Sequence, residues 1–354
     1  MSDEARCEFA RSGAADGTAG GRSRSPGGEG RPDRRATLRA TDGVRIEAAY
    51  DRYAGPDPTG PGADDPGAIV LAHGFSGAAD RPALRRAAQV FAQYGAVITF
   101  SFRGHGGSGG HSTVGDREVL DLAAAVRWAR SLGHAHVTTV GFSMGGSVVV
   151  RHGALYRPDG RGTGDAEHTA AHERRTGAQP HTAPPLHTAD QTGQTHRTDR
   201  TAHSAHADAV VAVSAPARWY YRGTAPMRRL HWVIQRPVGR IVSRFGLRTR
   251  VHHRDWDPVP LSPVAAAPVL SPTPFLVVHG DQDPYFPLDH PRSLAAAADP
   301  DRTELWIVPG FGHAENAAAP PLLRRIGAWT RARSATATAA AAAARHDGAR
   351  TTDG

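Results

Sequence analysis

The sequence contains no lysine. All 42 basic residues are arginine, and asparagine occurs only at Asn316. With abundant alanine, glycine and proline, this skew has the look of GC-rich coding. The net charge of +8 therefore reads as composition rather than a polyanion-binding face, and nucleic acid is not expected as a partner. A single cysteine, Cys7, excludes an intramolecular disulfide and permits a reducing compartment. No run of 18 apolar residues exists, so a transmembrane helix is not expected. The first six residues mix acidic and basic side chains and lack the apolar core of a secretory signal, which makes the cytoplasm the expected location. Hydrophobic residues make up only 39% of the chain, too few for one packed throughout, so part of it is expected to be unfolded.

What is present is a run of alternating strand and helix signals between polar tracts. Residues 1–36 are rich in glycine, arginine, serine and proline and read as a disordered tail. Strand-like alternation begins near Val44. Ala68-Ile69-Val70-Leu71-Ala72 is a continuous apolar run, suited to a strand buried on both faces, and Ala96 to Phe100 reads as a second buried strand. Helical spacing covers "RPALRRAAQVFAQYG", with Pro82 at its start and Gly95 at its end, and returns over 116–132 and 144–156. Further strands are expected at 136–141, 209–213, 273–281 and 304–310, with a last helix near 320–333. Such alternation predicts an α/β domain over 37–156 and 207–334, built on a mainly parallel sheet with helices on both faces. Residues 157–206 hold seven histidines and almost nothing large and apolar beyond Leu186. Their histidine spacings repeat no structural metal pattern, so they read as a solvated, disordered insertion. Residues 335–354 form an Ala-rich tail.

The chemistry centres on "VGFSMGG" at 140–146. Gly141-Phe142-Ser143-Met144-Gly145 places a serine between an apolar strand and a helix, in a turn tight enough to force the serine toward positive φ and to exclude bulk two residues away. A hydroxyl held there becomes a useful nucleophile only with a base, and the base needs an acid to fix its tautomer. "VVHGDQDPYFP" ends a late strand with Asp281 and Asp283, and "VPGFGHAEN" follows the last strand with His313. The order serine, aspartate, histidine is the one a strand–turn–helix nucleophile elbow takes. Two backbone N–H groups are candidates for an oxyanion hole: that of Met144 at a helix N-terminus, and that of Phe75 in "AHGFSG" after the first buried strand.

"HGFSG", "SFRGHGGSGG", "GFSMGG", "HGDQDPYFP" and "GFGHAE", in that order, resemble the landmark motifs of the α/β-hydrolase superfamily, most closely its esterase, lysophospholipase and serine-aminopeptidase-like branches. The resemblance spans about 40–156 and 207–333. It implies the α/β-hydrolase fold, a mostly parallel twisted sheet with helices on both faces and a small cap between the sixth strand and the acid loop. It also implies Ser143 as nucleophile, His313 as base and Asp283 as acid, since Gly280-Gln282-Asp283-Pro287 aligns with the family's acid loop; Asp281 stays as the alternative acid. By the same resemblance the chain is expected to be a serine hydrolase of carboxylic esters. An acyltransferase on the same triad, or a binding protein that keeps the fold without chemistry, are the competing readings. No cofactor or metal is expected, because His252-His253 lack an accompanying carboxylate or cysteine cluster.

Substrate choice is expected to lie in the cap, 217–272. There Met227, Leu230, Ile234, Ile241 and Phe245 interleave with Arg228, Arg229, Arg236, Arg240 and Arg244, and Pro237 divides two short helices. The cap reads either as a lid lining an acyl pocket whose arginines meet an anionic head group or membrane surface, or as a small lid with a buried apolar face and solvated arginines. The expected partner is a small-molecule ester or acyl substrate.

Overall fold

The computed structural model describes residues 32–56, 66–159, 162 and 204–350, with side chains as far as residue 336. One eight-stranded sheet carries the domain: β1 (Arg34–Arg39), β2 (Arg45–Asp51), β3 (Ala68–Ala72), β4 (Ala96–Phe100), β5 (Val137–Phe142), β6 (Ala209–Val213), β7 (Phe275–Gly280) and β8 (Thr303–Val308), in the order β1-β2-β4-β3-β5-β6-β7-β8. β2 pairs antiparallel with β1 and β4, and every later neighbour is parallel. The strands β3 to β7 are buried along their whole length, which is why β3 and β6 read as unbroken apolar runs and the others carry only an occasional threonine or histidine.

Helices close both faces. Strand side chains alternate, so Val70 and Ala72 join one core with Val119 and Val126 of α2 (Glu118–Ser131) and Val148 of α3 (Met144–Leu155). Ile69 and Leu71 point the other way, against Leu84 and Phe91 of α1 (Pro82–Phe91) and Ile326 of the last helix. Between β6 and β7 the chain leaves the sheet to form the cap, with α4 (Ala225–Gln235), α5 (Pro237–Gly246) and the short α6 (Pro263–Ala266). Arg236 sits in extended backbone ahead of Pro237 and parts α4 from α5, as a residue preceding proline should. The helices α7 (Asp289–Ala297), α8 (Ala314–Ala317) and α9 (Pro320–Arg350) complete the chain. No described helix is long and apolar enough to cross a membrane.

Two boundaries differ from the sequence reading. β1 starts at Arg34, inside the tail expected to reach residue 36. Its sequence RRATLR has little apolar signal, and pairing with β2 from Arg34↔Tyr50 to Arg39↔Arg45 supplies the order instead. The last helix runs on from 333 to Arg350, since alanine has the lowest intrinsic cost of helix formation and nothing stops the helix at 333. The expected tail over 1–31 and most of the His-rich insertion, 163–203, lie outside the described residues. The described chain resumes at Ser204, where Ala205 and Ala207 are already buried.

The loop after β4 is pinned by charge. The Arg103 guanidinium is buried, with Nη2 donating to Asp121 Oδ1 at 2.7 Å and Nη1 to Asp42 Oδ2 at 2.7 Å. Burial works against its charge, but the carboxylates of Asp121 and then Asp42 outweigh burial and hold it protonated. Asp121→Ala should destabilise the fold by about 3–5 kcal/mol, the cost typical of removing one partner from a buried ion pair. Urea unfolding monitored by circular dichroism measures it, and a change within error of zero would contradict the pinning role.

Candidate active site

The turn from β5 to α3 explains its own glycines. Ser143 sits at φ 51° and ψ −114°. A Cβ at Gly141 would come within 2.1 Å of the Gly145 carbonyl oxygen, and one at Gly145 within 2.2 Å of the Ala72 oxygen. Only residues without side chains let the backbone pass so closely. The strained serine is held by its own N–H, which donates to the Val213 carbonyl at 2.9 Å. Its hydroxyl is thereby presented at the carboxyl edge of the sheet.

His313, on the loop after β8, reaches this hydroxyl. Its Nε2 lies 2.9 Å from Ser143 Oγ and its Nδ1 lies 2.7 Å from Asp283 Oδ2. The geometry suits a neutral imidazole with its proton on Nδ1, donating to the carboxylate and accepting from the serine. The Asp283 side chain is 0% exposed, and its Oδ1 accepts the N–H groups of Tyr285 at 2.8 Å and Phe286 at 3.1 Å. Burial disfavours its charge, but the His313 hydrogen bond and charge, then the two N–H groups, outweigh burial and hold its pKa below the ordinary carboxylate value. The Tyr285 ring lies against the imidazole, with centroids 4.3 Å apart. Asp281 takes no part in this chain. It is exposed, and its Oδ1 accepts the Gly310 N–H at 2.7 Å, tying off the end of β8.

The Phe75 loop is built by two buried histidines. His73 Nε2 accepts the Phe102 N–H at 3.0 Å, while Nδ1–H donates to the Gly74 carbonyl at 2.6 Å. Burial, and then the neighbouring His105, push its pKa well below the ordinary histidine value, so it serves as a neutral brace. His105 Nε2 meets the Phe75 carbonyl at 2.6 Å and fixes that peptide. The loop lies beside the elbow, since a Cβ on Gly74 would sit 3.5 Å from Ser143 Cβ. Among the described residues the Phe75 N–H has no hydrogen-bond partner, and the Met144 N–H is at the first turn of α3, where a helix leaves its amides unsatisfied.

An apolar pocket opens from Ser143. Phe75, Met144 and Phe286 line it from the body, and Trp219, Tyr221, Met227, Leu230 and Ile234 line it from the cap. Val114, Tyr220, His231 and Ile234 also line a neighbouring, more polar pocket bordered by His252, His253 and Arg254. Among the described residues no group of three or more His, Cys, Asp or Glu side chains is arranged to hold a metal ion.

The comparisons with known proteins agree with this architecture. A family model described as the alpha/beta hydrolase fold matches residues 67–160, the stretch from β3 through α3. Among solved structures, an esterase of Pyrococcus furiosus is 17% identical, with a TM-score of 0.53 over 83% of this chain and 90% of its own. The α/β hydrolase GrgF of a Penicillium species is 15% identical, with a TM-score of 0.54 over 85% of this chain and 99% of its own. The chain has the α/β-hydrolase fold, and the stretch from β3 through α3 matches the model of that family. None of the curated proteins matches the chain.

Within this α/β-hydrolase fold, two residues near Ser143 carry contacts that the sequence did not predict. Glu315, two residues after His313 on α8, is buried, and its Oε1 accepts the Gly74 N–H at 3.1 Å; among the described residues its Oε2 has no partner. Burial raises its pKa, opposed by hydrogen bonds from its own N–H and Gly74 and by the charge of His313. It ties the loop that carries the imidazole to the loop that carries the Phe75 N–H. Ser214, after β6, is the other. Its hydroxyl accepts the Ala314 N–H at 3.1 Å and steadies a residue held at φ 55° directly after His313. Glu315 had a signal, an acidic residue in "GHAEN", whereas a serine after an apolar strand carries none.

Proposed function

We propose that this chain is a serine hydrolase that cleaves carboxylic esters through an acyl-enzyme on Ser143. One observation carries the reading: a continuous hydrogen-bonded chain from Ser143 Oγ through His313 to a carboxylate closed off from solvent. In this mechanism His313 Nε2 takes the serine proton as Oγ attacks the ester carbonyl. The negative charge that develops on the carbonyl oxygen is met by the N–H groups of Phe75 and Met144, and the α3 N-terminus favours charge there. Collapse breaks the bond to the alcohol, which leaves with the proton from His313. Water then attacks the acyl-serine, gives its proton to the same nitrogen, and returns the serine and a carboxylic acid. Asp283 holds the imidazole in the tautomer each step needs and stabilises its charged form.

The pocket supports an apolar acyl or aryl group, because Met227, Leu230, Ile234 and Phe286 offer little polar surface to anything larger than acetyl. Burying each added methylene is worth about 0.8 kcal/mol, so kcat/KM should rise about fourfold per methylene until the pocket is filled. A panel of p-nitrophenyl esters from acetate to long-chain acyl groups tests both parts of the proposal. A rise to an optimum beyond acetate is expected. Acetate as the best substrate would reject the pocket assignment, and no turnover of any ester would reject the activity.

A further inference from the structure

The cap helix α5 is assembled inside out. Its buried residues are Gly239 and Ser243, whose hydroxyl donates to the Thr249 carbonyl at 3.0 Å. Its large apolar residues face away: Val238 is 61% exposed, Ile241 58%, Val242 48% and Phe245 75%. Spaced at i, i+3, i+4 and i+7, they form one continuous stripe. A surface helix normally turns such a stripe to the core, and an exposed apolar patch of this kind marks a site of contact.

Charge identifies what the stripe meets. From Ala209 to Arg254 the chain has ten arginines and not one acidic residue. Among the described residues only Arg218 of these pairs with a carboxylate, that of Asp289. Arg240 and Arg244, spaced by four, share a face of α5, and Arg236 stands at its N-cap. A second copy docked on this face would set arginine against arginine. The chain's own segments outside the described residues offer little to cover it, since 163–203 contain no large apolar residue but Leu186, and 1–31 only Met1 and Phe9. Anionic lipid satisfies both halves of the pattern, with acyl chains for the stripe and phosphates for the guanidinium groups.

We infer that α5 seats the cap on an anionic phospholipid membrane surface. The helix is joined through Pro237 to α4, whose Leu230 and Ile234 line the pocket at Ser143. Docking thus holds the cap, whose α4 lines that pocket, against a lipid phase, where long-chain acyl esters are found. That last step rests on the esterase reading; the docking itself does not.

Flotation of the full chain with phosphatidylcholine vesicles, with and without phosphatidylglycerol, tests the inference, using Ser143→Ala beside the native chain. Both should float with the anionic vesicles only, and salt should weaken the association. Ile241→Ser/Phe245→Ser and Arg236→Ser/Arg244→Ser should each weaken it by roughly tenfold or more. Both double variants should keep the native circular dichroism spectrum and melting temperature, which shows that they fold, and should hydrolyse a soluble short-chain ester at the native rate. Absence of flotation, equal flotation with neutral vesicles, or an apolar double variant that floats like the native chain would overturn the inference. So would a dimer in solution that Phe245→Ser dissolves, because the stripe would then belong to a second copy. An inactive enzyme that still floats would count against the esterase reading alone.

Discussion

Ser143→Ala is expected to remove ester turnover, by about 10⁶-fold in kcat, and with it all covalent labelling by a fluorophosphonate probe. The size of the loss follows from the unity of the hydrogen-bonded chain. His313 at 2.9 Å and Asp283 beyond it have nothing to activate once Oγ is gone. What remains is the binding pocket and the two backbone N–H groups, which polarise a carbonyl but supply no attacking atom. The substitution should leave stability almost untouched. The hydroxyl's partner, the His313 ring, is 16% exposed, so water can replace the lost hydrogen bond. The turn keeps its glycines and its Val213 hydrogen bond, and alanine carries the same positive-φ strain as serine. Thermal melting separates the two effects. Unchanged melting with turnover and labelling both lost is the predicted result, while persistent labelling would move the nucleophile elsewhere.

The sheet was legible in the sequence wherever burial wrote itself into composition. β3 and β6 are five-residue apolar runs, and β4 departs from one only at Thr99; no other arrangement buries both faces of such a run so readily. The elbow was legible for a related reason. The close approaches at Gly141 and Gly145 demand glycine, so the backbone geometry is spelled in the residues themselves. β1 was not, because its order comes from hydrogen bonds to β2 that any side chains permit. The contacts that brace the site were not legible either. Glu315 meets Gly74 across 241 positions and Arg103 meets Asp42 across 61, and neither separation leaves a local trace. Inside-out α5 is the opposite case. Its apolar spacing was plain in the sequence, but periodicity reports only that a face exists, not whether it turns to the core or to solvent.

Asp281 and Asp283 stand two residues apart in the same loop, and composition alone cannot separate them. Their contacts can. Asp283→Asn should lower kcat/KM by about 10⁴-fold, and Asp281→Asn should stay close to the native rate. The reasoning turns on which atoms of the new amide find partners. At position 283, one oxygen already accepts the N–H groups of Tyr285 and Phe286. The amide oxygen of the variant must keep that place, because an NH₂ group there would face two donors. The NH₂ group then points at His313 Nδ1 and can only donate, which forces the imidazole proton onto Nε2. That nitrogen faces Ser143 Oγ with a proton instead of a lone pair, and general-base catalysis is lost while the geometry stays intact. At position 281 the amide oxygen continues to accept the Gly310 N–H, and nothing beyond the end of β8 is disturbed. Steady-state kinetics on one p-nitrophenyl ester with both variants decide between the acids. A large loss confined to Asp281→Asn would place the acid there and overturn the assignment of Asp283. Acidity sharpens the comparison further. Because Asp283 is held below the ordinary carboxylate value in the folded chain, it keeps its charge as pH falls through that range, and the native enzyme should not lose activity there by protonation of this group.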